Sequence, residues 1–206
     1  MGNIVGRQNY ISNLQAQIII GSLLGDGRLE CRSKSGNARL RMHHGEKQKE
    51  YLFWKYDIFK NITTCKPRRI TWEDKKRNVC CVSWYFHTLT LKELRDFHLL
   101  FYKEGKKVLP SNLYKLLTPL ALAVWTMDDG DNSKNSLRYN IQSFNRNEQE
   151  LIKRILKRKY DINANLNKDR NNYRLRVDLE STQRLIRIIQ PFIIPSIKYK
   201  ICPRND

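Results

Sequence analysis

Two aspartates define the chemistry this chain could perform. Asp26 stands in "LLGDG" (23–27) and Asp129 in "TMDDG" (126–130), each where an apolar run stops at Asp-Gly. A carboxylate is poorly placed at the C-terminal end of a helix, because the helix dipole is negative there, so something positive should compensate. Asp-Gly is also an ordinary turn, and either word alone says little. Two such words at matching places in the two halves of one chain say more. If the two helices pack side by side across a pseudo-two-fold axis, their carboxylates converge and repel, raising one pKa unless a cation lies between them. A divalent metal with oxygen ligands answers that need. Mg²⁺ accepts sites with one or two carboxylates and takes its other ligands from water and substrate phosphates; Mn²⁺ is its substitute. Gly21, Ser22 and Gly25 are small and lie on nearby helical faces, which permits the close approach of a partner helix.

The elements that must position these residues are written twice. "KYDI" occurs at 55–58 and at 159–162, and "LPSNLYK" (109–115) answers to "IPSIKYK" (194–200). Residues 13–25 read as a helix buried on most sides, with Leu14, Ile18, Ile19, Ile20, Leu23 and Leu24 as its apolar positions. In "RLECRS" Leu29 and Cys31 alternate with Arg28, Glu30 and Arg32; in "NARLRMHH" Ala38, Leu40 and Met42 alternate with Arg39, Arg41 and His43. Such alternation predicts strands with one apolar and one cationic face. A helix over 46–59, the strands "RRITW" and "VCCVSWYF", and a helix over 89–102 complete the first half. The second half offers a helix over 120–127, the strand "SLRYNIQS", a basic helix over 147–159, a hairpin of "DINANLNK" and "YRLRVDLE", and a helix over 182–189. The expectation is an α+β fold of two αββαββα units, 1–104 and 119–206, joined by a linker at 105–118.

The partner is suggested by charge. Lys and Arg number 39 against 20 Asp and Glu among 206 residues, a formal net charge of +19. An excess this one-sided suits a polyanion, with affinity that falls steeply with salt. A one-sided antiparallel sheet also alternates when it merely faces solvent. Here, however, the outward positions are predominantly Arg, Lys, Asn and Gln in both halves, the residues that pair with guanine and adenine in a major groove. The candidates for nucleic-acid contact are Arg28, Arg32, Lys34, Arg39, Arg41, Arg69, Lys75, Lys76 and Arg77 in the first half. In the second they are Arg138, Asn140, Gln142, Lys168, Arg170, Arg174 and Arg176. No apolar run approaches the ~20 residues of a membrane span. The start "MGNIVGRQNYISN" lacks the features of a secretory or myristoylation signal, which reads as intracellular. Five cysteines without a C-x-x-C, and scattered histidines, signal neither a disulfide framework nor a zinc site.

The words "IIGSLLGDG" (19–27) and "LAVWTMDDG" (122–130) resemble the two signature helices of the LAGLIDADG homing endonucleases, in the form where one chain carries both copies. The resemblance runs from about residue 12 to 202 and includes "QSF" (142–144) and the closing "IPSIKYK". It implies a monomeric saddle of two units over the DNA major groove that cuts both strands of a long site to leave short 3′ overhangs. The essential acidic residue of the motif falls on Asp26 and Asp129. By the same resemblance the backbone carbonyls of Gly25 and Asp128 help to hold the metals, and Lys107, in a K-x-x-P linker, and Lys200, in a Y-K ending, lie near the scissile phosphates. Lys115 rivals Lys107, because the internal repeat pairs it with Lys200.

The chain also departs from the family pattern. Gly21 and Gly25 become Val124 and Asp128 in the second copy, so the helix pair cannot be symmetric and the two strand cuts should proceed at unequal rates. The sixth motif position, often acidic, is Leu24 and Met127. Two other functions share this fold and charge: an intron maturase that binds RNA on the same basic saddle, and a DNA-binding regulator without nuclease activity, which would have no use for paired aspartates. Richness in Lys, Asn and Ile fits an A+T-rich genome, such as that of an organelle or some microbes.

Overall fold

A computed structural model describes residues 11–31, 36–75, 77–170 and 172–202. Arg32, Lys34 and Lys76, three of the cationic positions named above, lie outside the described residues. The fold is α+β, and its contacts divide it into two compact units. One holds residues 28–98 and those up to 16; the other joins 17–27 to everything from 99 onward.

Helix α1 (Asn13–Leu24) begins at a reciprocal cap. The Gln15 N–H donates to Ser12 Oγ (3.2 Å) and the Ser12 N–H to Gln15 Oε1 (2.9 Å), satisfying two helix-end donors at once. Ile18, Ile19, Ile20, Leu23 and Leu24 are buried, each contributing about 1.5–3 kcal/mol to the fold. Leu14 departs from the expected buried run: it lies one turn earlier and is 47% exposed.

In the first unit, β1 (Arg28–Cys31), β2 (Ala38–Gly45), β3 (Arg68–Asp74) and β4 (Val79–His87) form an antiparallel sheet in the order β1-β2-β4-β3. Directly opposed residues in such a sheet share a face. Arg28 opposes Arg41, Glu30 opposes Arg39, Arg41 opposes His87, and Tyr85 lies between His43 and Arg68. The other face carries Leu29, Leu40, Met42 and Phe86. Helix α2 (Lys49–Phe59) covers it with Tyr51, Leu52 and Phe59, all buried, and α3 (Lys92–Phe101) follows β4. Cys31, expected on the apolar face, does oppose Ala38 but is exposed at the strand's end. Glu30, on the charged face, is buried beneath Arg28 and Arg39, with ion pairs of 2.7 Å to each.

In the second unit, β5 (Tyr102–Lys103) and β6 (Lys106–Lys107) form a two-stranded hairpin. It turns at Glu104 and Gly105, whose φ angles of 52° and 74° are the left-handed pair that a tight hairpin needs. Helix α4 (Leu113–Leu116) leads to α5 (Pro119–Asp129), where Thr118 Oγ1 accepts from the Ala121 N–H (3.2 Å) and Pro119 opens the first turn. The stretch at 105–118 thus holds β6 and α4 rather than irregular chain alone. A sheet in the order β7-β8-β10-β9 comprises β7 (Asp131–Ser133), β8 (Ser136–Asn140), β9 (Ala164–Asp169) and β10 (Asn172–Val177). Helix α6 (Arg146–Tyr160) starts at a capping box of Asn145 and Glu148 and stops where Asp161 turns left-handed. Helix α7 (Leu179–Ile189) closes the unit. Trp125, Leu137, Tyr139, Ile152, Leu156, Leu175, Leu185 and Ile189 are all buried in its core.

Candidate active site and nucleic-acid interface

Residues 17–27 of α1 and all of α5 belong to the same unit, and the two helices touch through their small residues. A Cβ added at Gly21 would come within 2.4 Å of the Ala121 carbonyl oxygen and 2.7 Å of Val124 Cβ; one at Gly25 would meet Asp128 Cβ at 2.5 Å. Only glycine permits this approach. Gly21 and Val124 are matching positions of the two signature words, as are Gly25 and Asp128. Matching positions in contact are what a local two-fold between helices produces. The two departures noted in the sequence are therefore complementary: the larger side chains of α5 fill space left by the glycines of α1.

Asp26 and Asp129 follow directly, at the C-terminal ends of this helix pair. Asp26 is exposed and Asp129 half-buried. Burial, then the charges of Asp26 and Asp128, push the Asp129 carboxyl up from its ordinary 3.8 to about 8, with Lys200 and Lys107 pulling the other way. The positive charge that the helix ends require comes from those two lysines. Lys107 Nζ, at the end of the β5-β6 hairpin, donates to the carbonyls of Gly25 (3.1 Å) and Gly27 (3.2 Å). Lys200 Nζ, buried in the 3-10 turn Pro195–Lys200, donates to the Asp128 carbonyl. Burial lowers the pKa of Lys107, opposed by the nearby Asp129, Asp128 and Asp26. Lys115 is elsewhere: its side chain is exposed and its carbonyl accepts from Lys159. The chain from β6 onward is tied down by the Leu109 N–H, which donates to Glu148 Oε1 (2.8 Å).

The donors gathered here are carboxylate and carbonyl oxygens, with burial and then the neighbouring carboxylates raising the pKa of Asp129, and this set fits a hard divalent cation. Among the described residues no group of three or more His, Cys, Asp or Glu could hold a metal alone. A cation at this site therefore draws on carbonyl, water or phosphate oxygens as well.

The cationic candidates divide by strand register. Arg28, Arg39 and Arg41 share one face of the first sheet, with Arg41 lying 5.3 Å from the Tyr85 ring. Arg69 opposes Trp84 and so stands on the other face; its neighbour Arg68, which sequence reasoning missed, opposes Tyr85 and stands with Arg41. Lys75 and Arg77 are exposed beyond β3, with Arg77 paired to Asp74 at 2.8 Å. In the second sheet Arg138, Asn140, Arg174 and Arg176 share a face. Asn165 and Asn167, also missed, oppose Arg176 and Arg174 on that face, whereas Lys168 opposes Tyr173 but is exposed and lines the same groove as Arg138, Arg174 and Arg176. Arg170 is exposed in the β9-β10 turn, and Gln142 Nε2 reaches Asp169 Oδ2 at 3.5 Å. Asp131 and Asp169 hold Arg138 and Arg174 at 2.5 and 2.8 Å. A groove of about 330 Å³ on this side is lined by Arg138, Arg174 and Arg176 among others. No described helix is long and apolar enough to cross a membrane.

Known proteins share this arrangement of elements. The LAGLIDADG DNA endonuclease family matches residues 16–185. The chain is 31% identical over 193 residues to the cytochrome b mRNA maturase bI2 of Debaryomyces hansenii, spanning 90% of this chain and 72% of that protein. It is 31% identical over 214 residues to the DNA endonuclease I-ChuI of Chlamydomonas applanata, spanning 95% of this chain and 97% of that one. Among solved structures, the homing endonuclease I-WcaI bound to its DNA recognition sequence matches with a TM-score of 0.88 at 22% identity, covering 94% of this chain and 88% of that chain.

Proposed function

The chain belongs to the LAGLIDADG DNA endonuclease family, and from that premise we propose that it is a site-specific endonuclease that hydrolyses both strands of a long DNA site to leave short 3′ overhangs. One observation carries the reading: Asp26 and Asp129 end two touching helices, with an ammonium group on the carbonyls of each end. We further infer the single-chain form with two motif copies, 1–104 and 119–206 joined at 105–118, acting as a monomer. The like order of strands in the two sheets supports this. An intracellular setting, in an organelle or a microbe, fits the composition.

Asp26, Asp129 and the carbonyls of Gly25 and Asp128 would hold divalent metal, Mg²⁺ or Mn²⁺, which when bound supplies a Lewis acid and an activated water for in-line attack on phosphate. The residues themselves do the rest. Lys107 spends two N–H groups on carbonyls, and an ammonium has a third to offer a phosphate oxygen as charge accumulates there. Asp129 must lose its proton before it can serve as a ligand, whereas Asp26 lies open to solvent, so the two strands are cut at unequal rates. The arginine faces of the two sheets supply the duplex contacts.

The test is strand-specific cleavage of sites selected from a randomised DNA library, with and without Mg²⁺. Asp26→Asn and Asp129→Asn should each abolish double-strand cleavage and leave low-salt binding largely intact. Cleavage of both strands at wild-type rate by Asp129→Asn would refute the mechanism. A second reading, a helper for intron RNA, is favoured by the 31% identity to the yeast maturase. Splicing of a cognate intron stimulated by the double Asn variant would support it.

A further inference from the structure

We infer that Glu148 and Asn132 are positioning residues for Lys107 and Lys200, each fixing the backbone at the root of one lysine and so governing the cut of one DNA strand. This rests on the endonuclease reading and adds to it the two groups that aim its ammonium ions.

A lysine has a flexible four-carbon stem, so its ammonium stays at one point only if the backbone beneath it is held as well. The two lysines arrive on segments that the internal repeat does not relate: Lys107 precedes the word "LPSNLYK", whereas Lys200 ends "IPSIKYK". One device repeated twice therefore cannot hold both.

Lys107 opposes Tyr102 in the β5-β6 hairpin. After it the Val108 N–H returns to the Phe101 carbonyl (2.8 Å), but there the ladder ends, and Pro110 has no N–H to give. Between them the Leu109 N–H donates to Glu148 Oε1 (2.8 Å), while Glu148 Oε2 accepts from the Asn145 N–H (2.8 Å) at the start of α6. One carboxylate thus joins the segment that carries Lys107 to the end of a long helix. Leu109 is buried, and a hydrogen bond to an ionised acceptor is the strong kind.

Lys200 ends the turn Pro195–Lys200, and the next carbonyl, of Ile201, accepts from Asn132 Nδ2 (2.8 Å). Asn132 is 1% exposed, and its Oδ1 has no hydrogen-bond partner among the described residues. A buried amide with its acceptor unused is unfavourable unless its donor is needed, and that donor holds the residue after Lys200. Asn132 belongs to β7, the strand that follows Asp129. The bond therefore ties the segment bearing Lys200 to the chain that leaves the carboxylate. A shift of about 1 Å at such a group is able to slow a reaction on the order of 10²-fold.

The experiment has two arms, both on the full chain. In the first, without metal or DNA, lysines are labelled briefly with acetic anhydride and read by mass spectrometry. Glu148→Ala should raise the labelling rate of Lys107 several-fold and leave Lys200 unchanged; Asn132→Ala should do the reverse. In the second, target duplex labelled on each strand is cut with Mg²⁺ at saturating enzyme, where Lys107→Ala and Lys200→Ala identify the strand that each lysine serves. Glu148→Ala should slow the Lys107 strand about tenfold or more, and Asn132→Ala the Lys200 strand, with duplex affinity and the other strand within about twofold of wild type. Glu148→Gln keeps the capping box and an oxygen for the Leu109 N–H, so it should restore wild-type behaviour in both arms. Asn145→Ala and Thr182→Val delete hydrogen bonds of the same unit without touching either lysine. They should lower the melting temperature and change neither arm. Labelling of both lysines raised alike, or both cuts slowed in step with lost stability, would overturn the inference. Cleavage that neither variant slows on one strand would also overturn it, with the endonuclease reading intact. Selective labelling with no cleavage by the wild-type chain would uphold the grip on the lysines and overturn the endonuclease reading instead.

Discussion

At the scale of single residues, Asp129 sets the pH behaviour. In the unfolded chain its carboxyl ionises near 3.8, and in the fold it is pushed up to about 8. Between those values the folded chain holds a proton that the unfolded chain has released, so stability contributed by the protonated group is lost as pH rises through that window. Asp129→Asn removes the titration. Melting temperatures measured from pH 5 to 8 without metal should therefore show the variant gaining steadily on the wild type, and a constant difference would contradict the assignment. Bound divalent metal takes the place of the same proton, so metal affinity read by calorimetry should tighten over the same window. The pair of aspartates was legible in the sequence from the repeated Asp-Gly words. For the first lysine the sequence offers two answers: the family resemblance points to Lys107, and aligning the two halves points to Lys115. In the fold a hairpin turn at Glu104 and Gly105 brings Lys107 to the Gly25 carbonyl, while Lys115 is exposed elsewhere.

At the scale of elements, the contact between α1 and α5 is the feature most sensitive to change. Gly21→Ala drives a methyl into the Ala121 carbonyl and Val124, and overpacking of this kind costs about 1–3 kcal/mol. Urea or thermal unfolding should register the loss. Val124→Ala in the same chain should recover a small part of it, since it removes the Cγ1 met at 3.0 Å but neither the Cβ at 2.7 Å nor the backbone oxygen. The strands show where sequence alone suffices and where it does not. In β2 the alternation of Ala38, Leu40 and Met42 with Arg39 and Arg41 fixes the faces before any partner is known. In β3 two exposed arginines stand side by side, so only pairing with Tyr85 and Trp84 tells which of Arg68 and Arg69 shares the face of Arg41. Arg68→Gln should accordingly weaken duplex binding more than Arg69→Gln in a gel-shift titration.

At the scale of the whole molecule, a net charge of +19 governs encounter with nucleic acid. The logarithm of duplex affinity should fall linearly with the logarithm of salt, with a slope of about −0.9 for each phosphate neutralised. Arg174→Gln and Arg176→Gln should each make that slope shallower by about the same unit, measured by fluorescence anisotropy across a salt series. Composition announces such a partner but not how the cations are kept from repelling one another. Glu30, Asp131 and Asp169 do that work by pinning arginines in rows, and in a bare sequence they look like interruptions of a basic face.

The fit of Val124 against Gly21 and of Asp128 against Gly25 has a historical implication. If one helix had once met its own twin here, its two descendants would since have become lock and key. A pair built from α1 alone would be gapped along its seam, and a pair built from α5 alone would press two valines and two acids together. Neither helix could stand in for the other at this seam, so each is specific to its partner.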